Sequence, residues 1–265
     1  MELRGTVVVV TGAAGGIGAA MARRFAAEGV AGIVLADLDR DAASALAREI
    51  DPARVTGVGC DVTDAGEVAG LVALARDTYG PVDLFCSNAG ITTGTGLDTD
   101  DATWQRAWAV NVHAHVLAAR AVLPSMLERG SGYLLQTCSA AGLLTAVGDA
   151  PYAVTKHAAV GFAEWLAMTY GDRGIKVSAL CPQGVRTPML TEGLARGHTA
   201  ARVTVAAGPV LTPEQVADAV VAGLAAERFL ILPHPEVAGY ARRKAEDPDR
   251  WLGGMRKLIA TIEAG

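Results

Sequence analysis

The sequence predicts an α/β fold: a doubly wound, parallel, seven-stranded sheet with helices on both faces, in a single domain. Three observations carry that expectation. Short β-branched apolar runs alternate with helical patterns along most of the chain, the pattern of parallel strands joined by crossover helices. The first such run passes straight into a glycine-rich turn and then into a helical pattern. The 265 residues hold no repeat, no low-complexity tract and no linker long enough to divide them, and their number suits one large domain.

In chain order, residues 6–10 read as the first strand, apolar and β-branched enough to be buried on both faces. Its helix spans 19–28. A second strand at 33–36 leads to a helix at 40–50, a third at 55–60 to a helix at 65–79. The fourth strand, 82–86, precedes one long helix over 102–127. The fifth, 132–138, precedes a helix over 152–170. A sixth strand lies at 176–180, a helix at 213–226 and a short seventh strand at 229–232. Right-handed crossovers follow from parallel pairing.

Composition narrows the function. Half the residues are apolar (51%) and only 19% are charged, with a formal net charge of −5; this argues against a general nucleic-acid surface. Cys60, Cys86, Cys138 and Cys181 end apolar runs without metal-like spacing and read as reduced core residues. Residues 1–5 lead directly into a strand without the apolar stretch of a signal peptide. No apolar run reaches the length of a membrane span. The expectation is a cytoplasmic protein that binds neither nucleic acid nor membrane.

The glycine turn is the first chemical signal. Gly12, Gly16 and Gly18 stand between the first strand and its helix, where dinucleotide-binding folds seat a pyrophosphate on the helix N-terminus. A Cβ there would hold phosphates off the backbone N–H groups. The spacing is Gly-x-x-x-Gly-x-Gly, and a tight connection with no ligand remains the alternative. Asp37 weighs against it. It ends the second strand nineteen residues after Gly18, where a carboxylate accepts ribose hydroxyls and repels a 2′-phosphate; the alternative is a capping or loop aspartate.

The second signal is Tyr152 and Lys156, four apart on a helix that Pro151 opens. A free phenol has a pKa of about 10, and a neighbouring ammonium favours its phenolate. The pattern alone is weak, for Tyr240 and Lys244 repeat it beside Arg242 and Arg243 and read as a solvated helix face. What separates the pairs is Ser139, thirteen residues before Tyr152 at a strand end; Glu227 holds that place before Tyr240.

These motifs together resemble the short-chain dehydrogenases/reductases, over about residues 6–232. Thr11-Gly12-x-x-x-Gly16-Ile17-Gly18 matches the family's cofactor motif and Asn88-Ala89-Gly90 its signature after the fourth strand. Asn111, Ser139, Tyr152 and Lys156 match its catalytic tetrad in order and spacing. The resemblance implies a Rossmann-like fold and NAD as cofactor, with Asp61 and Val62 at the adenine and Val185 and Thr187 at the nicotinamide carboxamide. Where the family has Pro-Gly-x-Val-x-Thr, this chain reads Pro182-Gln183-Gly184-Val185-Arg186-Thr187, so Gln183 alters the backbone path expected under the nicotinamide.

Roles follow from the chemistry of oxidising an alcohol. Tyr152 is the expected acid/base, Lys156 lowers its pKa and, as the resemblance implies, also holds the nicotinamide ribose, and Ser139 donates to the substrate oxygen. Asn111 steadies a water in a proton relay to Lys156, although an ordinary mid-helix Asn is the competing reading. His113, His115 and His157 read as packing or surface residues, and no metal is implied.

The leading expectation is an NAD-dependent oxidoreductase of a secondary alcohol and its ketone. An NADPH-dependent reductase of a biosynthetic pathway is disfavoured by Asp37, and a silent dinucleotide-binding sensor or scaffold by the intact Ser139, Tyr152 and Lys156. The resemblance implies a homotetramer, or a dimer, through the 102–127 and 152–170 helices. Residues 186–210 are expected to form a substrate lid, with Met189, Leu190, Leu194 and Val203 inward and Glu192, Arg196 and Arg202 in solvent. Residues 91–95 supply another wall. In the extension at 233–265, Trp251, Leu252, Met255 and Leu258 are expected to pack near the substrate entrance. With Arg186 as the one nearby cation, pointing away, the expected substrate is neutral and mostly apolar.

Overall fold

A computed structural model describes residues 1–264. The elements run β1 (Val7–Thr11), α1 (Gly16–Ala27), β2 (Gly32–Asp37), α2 (Arg40–Ile50), β3 (Val55–Gly59), α3 (Ala65–Thr78), β4 (Leu84–Ser87), α4 (Asp101–Trp108), a π-helical turn (Ala109–His113), α5 (Ala114–Arg129) and β5 (Gly132–Thr137). Then come α6 (Ala141–Leu144), α7 (Ala150–Tyr170), β6 (Ile175–Leu180), α8 (Pro188–Ala195), α9 (Thr199–Ala206), α10 (Pro213–Ala225), β7 (Leu230–Ile231), α11 (Glu236–Glu246) and α12 (Pro248–Ala264).

The seven strands are parallel in the order β3-β2-β1-β4-β5-β6-β7. Strand order reverses between β1 and β4, which opens a crevice at their carboxyl ends. Side chains alternate between two cores. Val8, Val10, Ile33 and Leu35 face α1 and α10, while Val7, Val9, Val34 and Phe85 face α3, α5 and α7. Burial of both faces is why the strands read as continuous apolar runs.

Three elements differ from expectation. Helix α1 begins at Gly16 rather than at 19, because the glycine turn is itself the first helical turn. The long helix expected over 102–127 is interrupted by the π turn, a widening that often marks functional positions. The C-terminal segment is two helices, because Pro248 has no N–H to continue α11; Asp247 instead accepts from the Arg250 N–H at 2.9 Å and starts α12.

Candidate active site

The crevice holds a cleft of about 1240 Å³ that runs from the glycine turn to α12. At one end, Thr11 ties β1 to the loop after β4. Its hydroxyl accepts from Asn88 N–H at 3.0 Å and Ala89 N–H at 3.2 Å. The Asn88 amide donates to the carbonyls of Thr11 and Gly12. Gly12 has φ +62°, and a Cβ on it would stand 2.7 Å from Ala89 Cα. Glycine is required there twice over.

Gly12, Gly16 and Ile17 line the cleft. Gly18, expected beside them, does not. It is buried, and a Cβ on it would meet the Gly12 carbonyl at 2.2 Å, so it lets the helix pack against the turn. Helix α1 has no side-chain cap and no acid in its first turn, unlike α2, α3, α4, α7 and α10, whose N-caps all accept a backbone N–H. Its open first-turn N–H groups form the positive end of the helix dipole.

Asp37 also lines this end, its carboxylate accepting from Ala14 N–H at 2.9 Å. Asp61 accepts from the Thr63 N–H and hydroxyl, and Val62 is buried beside it on the wall. Asn88, Ala89 and Gly90 continue the wall toward Val185 and Thr187.

The middle of the cleft holds Ser139, Tyr152 and Lys156. Asp149, fully buried, orders this region. It caps α7 through Tyr152 N–H (3.0 Å) and holds the Thr93 and Gly94 N–H groups and the Thr93 hydroxyl. Lys156 donates to the Thr137 carbonyl at 2.9 Å, and its Nζ lies 5.6 Å from the Tyr152 ring centroid.

Lys156 does not draw the phenol down here. Burial pushes Tyr152 up to about 12, against the opposing Ser139 hydroxyl and with Asp149 adding to the rise. Burial also pushes the Lys156 ammonium below its ordinary range. Desolvation of both partners outweighs an attraction that spans a ring rather than a hydrogen bond.

Asn111 is buried in the π turn and is not on the cleft wall. Its amide accepts from Ile91 N–H and donates to the Ile91 carbonyl and Thr155 hydroxyl. It pins the loop after β4 to α7. A Cβ on Gly90 would lie 3.3 Å from Asn111 Oδ1 and 3.4 Å from Lys156 Nζ.

At the far end the sequence reading needs correction. Met189, Leu190 and Val203 line the cleft, but Leu194 does not and is exposed. Trp251, Met255 and Leu258 line it too, from one face of α12; Leu252, a hundred degrees round the helix, is exposed. Tyr240 and Lys244 are no solvated face. Tyr240 lines the cleft, packs on Trp251 at 6.2 Å and donates to the Ala207 carbonyl. Lys244 donates to the Leu143 carbonyl at 2.8 Å. Arg186 is outside the lining, as expected, whereas Arg106 and Arg243 are part of it.

Three further residues escaped the sequence reading. His198 lines the cleft, its ring laid so close on Gly94 that a Cβ there would be 2.2 Å away. His234 is buried, accepts the Gln183 N–H at Nδ1 (3.1 Å) and donates from Nε2 to the Gly184 carbonyl (3.0 Å). It fixes the loop that carries Gln183. Glu236 and Gln183 each keep a buried, unpartnered Oε1 beside Gly208. Nothing in local sequence joins positions this far apart.

His115 is buried against Gln136, and burial with the Lys156 charge lowers its pKa to about 3, against the opposing Gln136 amide. His113 is exposed, and His157 contacts the Ala153 carbonyl. Among the described residues no three His, Cys, Asp or Glu gather as metal ligands, and no helix is long and apolar enough to cross a membrane.

Residues 6–196 match the short chain dehydrogenase family. The chain is 38% identical over 254 residues to 1-deoxy-11-beta-hydroxypentalenate dehydrogenase of Streptomyces exfoliatus, covering 93% of this chain and 90% of that one. It is 35% identical over 229 residues to 2-(S)-hydroxypropyl-CoM dehydrogenase 3 of Xanthobacter autotrophicus, covering 83% and 89%. A short chain dehydrogenase/reductase from Burkholderia phymatum, crystallised in complex with NAD, matches with a TM-score of 0.85 and 29% identity over 94% of this chain and 96% of that one. With its glycine turn, Asn-Ala-Gly loop and Ser139–Tyr152–Lys156 wall set around one crevice, the chain belongs to the short-chain dehydrogenases, oxidoreductases of the alcohol/carbonyl couple.

Proposed function

We propose that this protein is an NAD-dependent dehydrogenase that interconverts a mostly apolar secondary alcohol and its ketone, with Tyr152 as acid/base. The observation that carries the reading is that Ser139, Tyr152 and Lys156 share one cleft with the uncapped N-terminus of α1. The cleft fits NAD. The open first-turn N–H groups at Gly16 and Ile17 suit a pyrophosphate, and Asp37 suits a ribose diol while repelling a 2′-phosphate. Arg40, the cation nearest in sequence, is exposed and outside the lining. Asp61 and Val62 would border the adenine, Asn88–Gly90 the ribose, and Val185 and Thr187 the carboxamide. The NAD complex of the Burkholderia relative supports this choice.

Bound NAD supplies the hydride acceptor and, when oxidised, a positive charge beside the phenol. The protein's own groups do the rest. Tyr152 takes the hydroxyl proton, Ser139 donates to the substrate oxygen as charge develops on it, and Lys156, one helical turn from Tyr152, would hold the ribose. Asn111 acts by fixing the loop and turn around Lys156. Residues 186–210 form the lid and 233–265 the extension that completes the far wall.

The surface of α7 supports a homo-oligomer, with a tetramer as our reading. Val154, Trp165 and Met168 are exposed on one stripe with Ala158 and Gly161 between them. We assign the protein to the cytoplasm, consistent with four free cysteines. The decisive experiment incubates the protein with NAD or NADP and a panel of secondary alcohols, reading reduced cofactor. NAD-linked oxidation with at least tenfold preference over NADP is expected, and Asp37→Ala should narrow that preference. Equal efficiency with both cofactors, or no turnover of any alcohol, overturns the proposal.

A further inference from the structure

The expectation of a neutral substrate rested on apolar pocket walls and on discounting Arg186 as the one nearby cation, whereas Arg106 and Arg243 both line the cleft. Three basic residues stand in a row on α11, and each is used differently. Arg242 pairs with Glu246 on the outer face. Lys244 is held by the Leu143 carbonyl. Arg243 lines the cleft, its Cζ 5.0 Å over the Tyr240 ring centroid, and no carboxylate among the described residues pairs with it. Stacking occupies the face of a guanidinium and leaves its edge N–H donors for a ligand.

The acids on the cleft wall cannot answer it. Asp37 and Asp61 lie at the glycine-turn end, bonded to Ala14 and to Thr63. Asp149 is buried under Thr93, Gly94 and Tyr152. Tyr240 lies under Arg243, and Leu144, Trp251 and Met255 are apolar or aromatic members of the same cleft lining. An arginine at the end of such a compartment suits the planar anion with which it forms paired hydrogen bonds.

We propose that Arg243 recognises a carboxylate at the far end of the substrate, so that the favoured substrate is a hydroxy acid whose apolar body separates carbinol and carboxylate. This rests on the dehydrogenase reading above and deepens it. Arg243 acts on binding, not on the reacting atoms.

The test uses fatty acids hydroxylated at the carbon next to the terminal methyl, from hydroxyhexanoate to hydroxydodecanoate, each beside its methyl ester. At one chain length the acid should exceed its ester about tenfold in kcat/KM, mainly through KM. Arg243→Met should collapse that preference toward unity, Arg243→Lys should keep part of it, and Arg242→Met should leave it intact. Calorimetric titration with octanoate and octanamide gives a second readout without turnover. Octanoate should bind about tenfold more tightly, and Arg243→Met should abolish the difference. If acids and esters turn over equally and octanoate shows no advantage, the carboxylate site is overturned while the dehydrogenase stands. If octanoate is favoured through Arg243 but no alcohol is oxidised, the site stands and the reaction reading falls. Equal losses on acid and ester in Arg243→Met would also overturn the inference.

Discussion

Two helices of this chain carry Tyr-x-x-x-Lys, and both bring the tyrosine to the same cleft. On α7 the pair is sunk at the centre. Lys156 is buried, the phenol's pKa is pushed up to about 12, and Ser139 lies beside it. On α11 the pair is a fastening. The Tyr240 hydroxyl holds Ala207 and the Lys244 ammonium holds Leu143, so the C-terminal helices are tied to the 186–210 segment and to α6. Helical spacing puts each lysine one turn from its tyrosine. What the pair then does is set by desolvation and by which carbonyls it meets, and neither is a property of the motif.

The strongest break between the two is substitution by phenylalanine. Tyr152→Phe should lower kcat by about 10²–10⁴-fold while leaving cofactor affinity, measured by titration, largely intact. Tyr240→Phe should leave kcat within a few fold. The reverse ranking would undo the assignment of the two helices.

The pH dependence should separate them next. The free protein holds the Tyr152 phenol far above neutrality, so the phenolate is scarce at pH 7. Oxidation should speed up with rising pH, by up to about tenfold per unit below the apparent pKa. That pKa should fall below about 12 when the cofactor's charge is bound beside the phenol. Tyr240→Phe should reproduce the wild-type profile. A flat profile from pH 6 to 9 would count against Tyr152 as the base.

Close enough to the α7 pair to feel the Lys156 charge lies the buried His115. Its folded pKa, about 3, is below the unfolded value of about 6.5, so the unfolded chain binds more protons between them. Stability from this group is fully present above about pH 6.5 and is lost as pH falls toward 3. The slope is up to about 1.4 kcal/mol per pH unit. Denaturant unfolding at pH 7 and pH 5 should show it, and His115→Leu should flatten it.

The smallest effects belong to α11. Losing the Tyr240 hydroxyl removes one hydrogen bond, worth about 0.5–1.5 kcal/mol. Lys244→Met should raise KM a few fold with kcat nearly unchanged, because it loosens a wall and touches no reacting atom. A collapse of kcat in Lys244→Met would erase the distinction.

Local patterning along the chain was enough to read the parallel sheet, the succession of strands and helices, and the contiguous motifs that meet at the cleft. Gly12 was legible because a positive φ and close backbone approach call for glycine, while Asn88 and Ala89 were legible only through the family resemblance. Apolar runs buried on both faces likewise admit little but Val, Ile, Leu and Ala. Tertiary structure alone decided the rest. Gly18 packs a helix instead of lining the cleft, Asn111 pins a loop from a π turn, and burial raises Tyr152 where proximity to Lys156 had argued the reverse. The far wall was the least legible. His198, Tyr240 and Arg243 reach the cleft, and His234 fixes the loop that carries Gln183, only when the segments leading into and through α9 and α11 fold back over it. Their roles come from contacts between distant segments, and a helix's periodicity records which residues share a face but not what that face will meet.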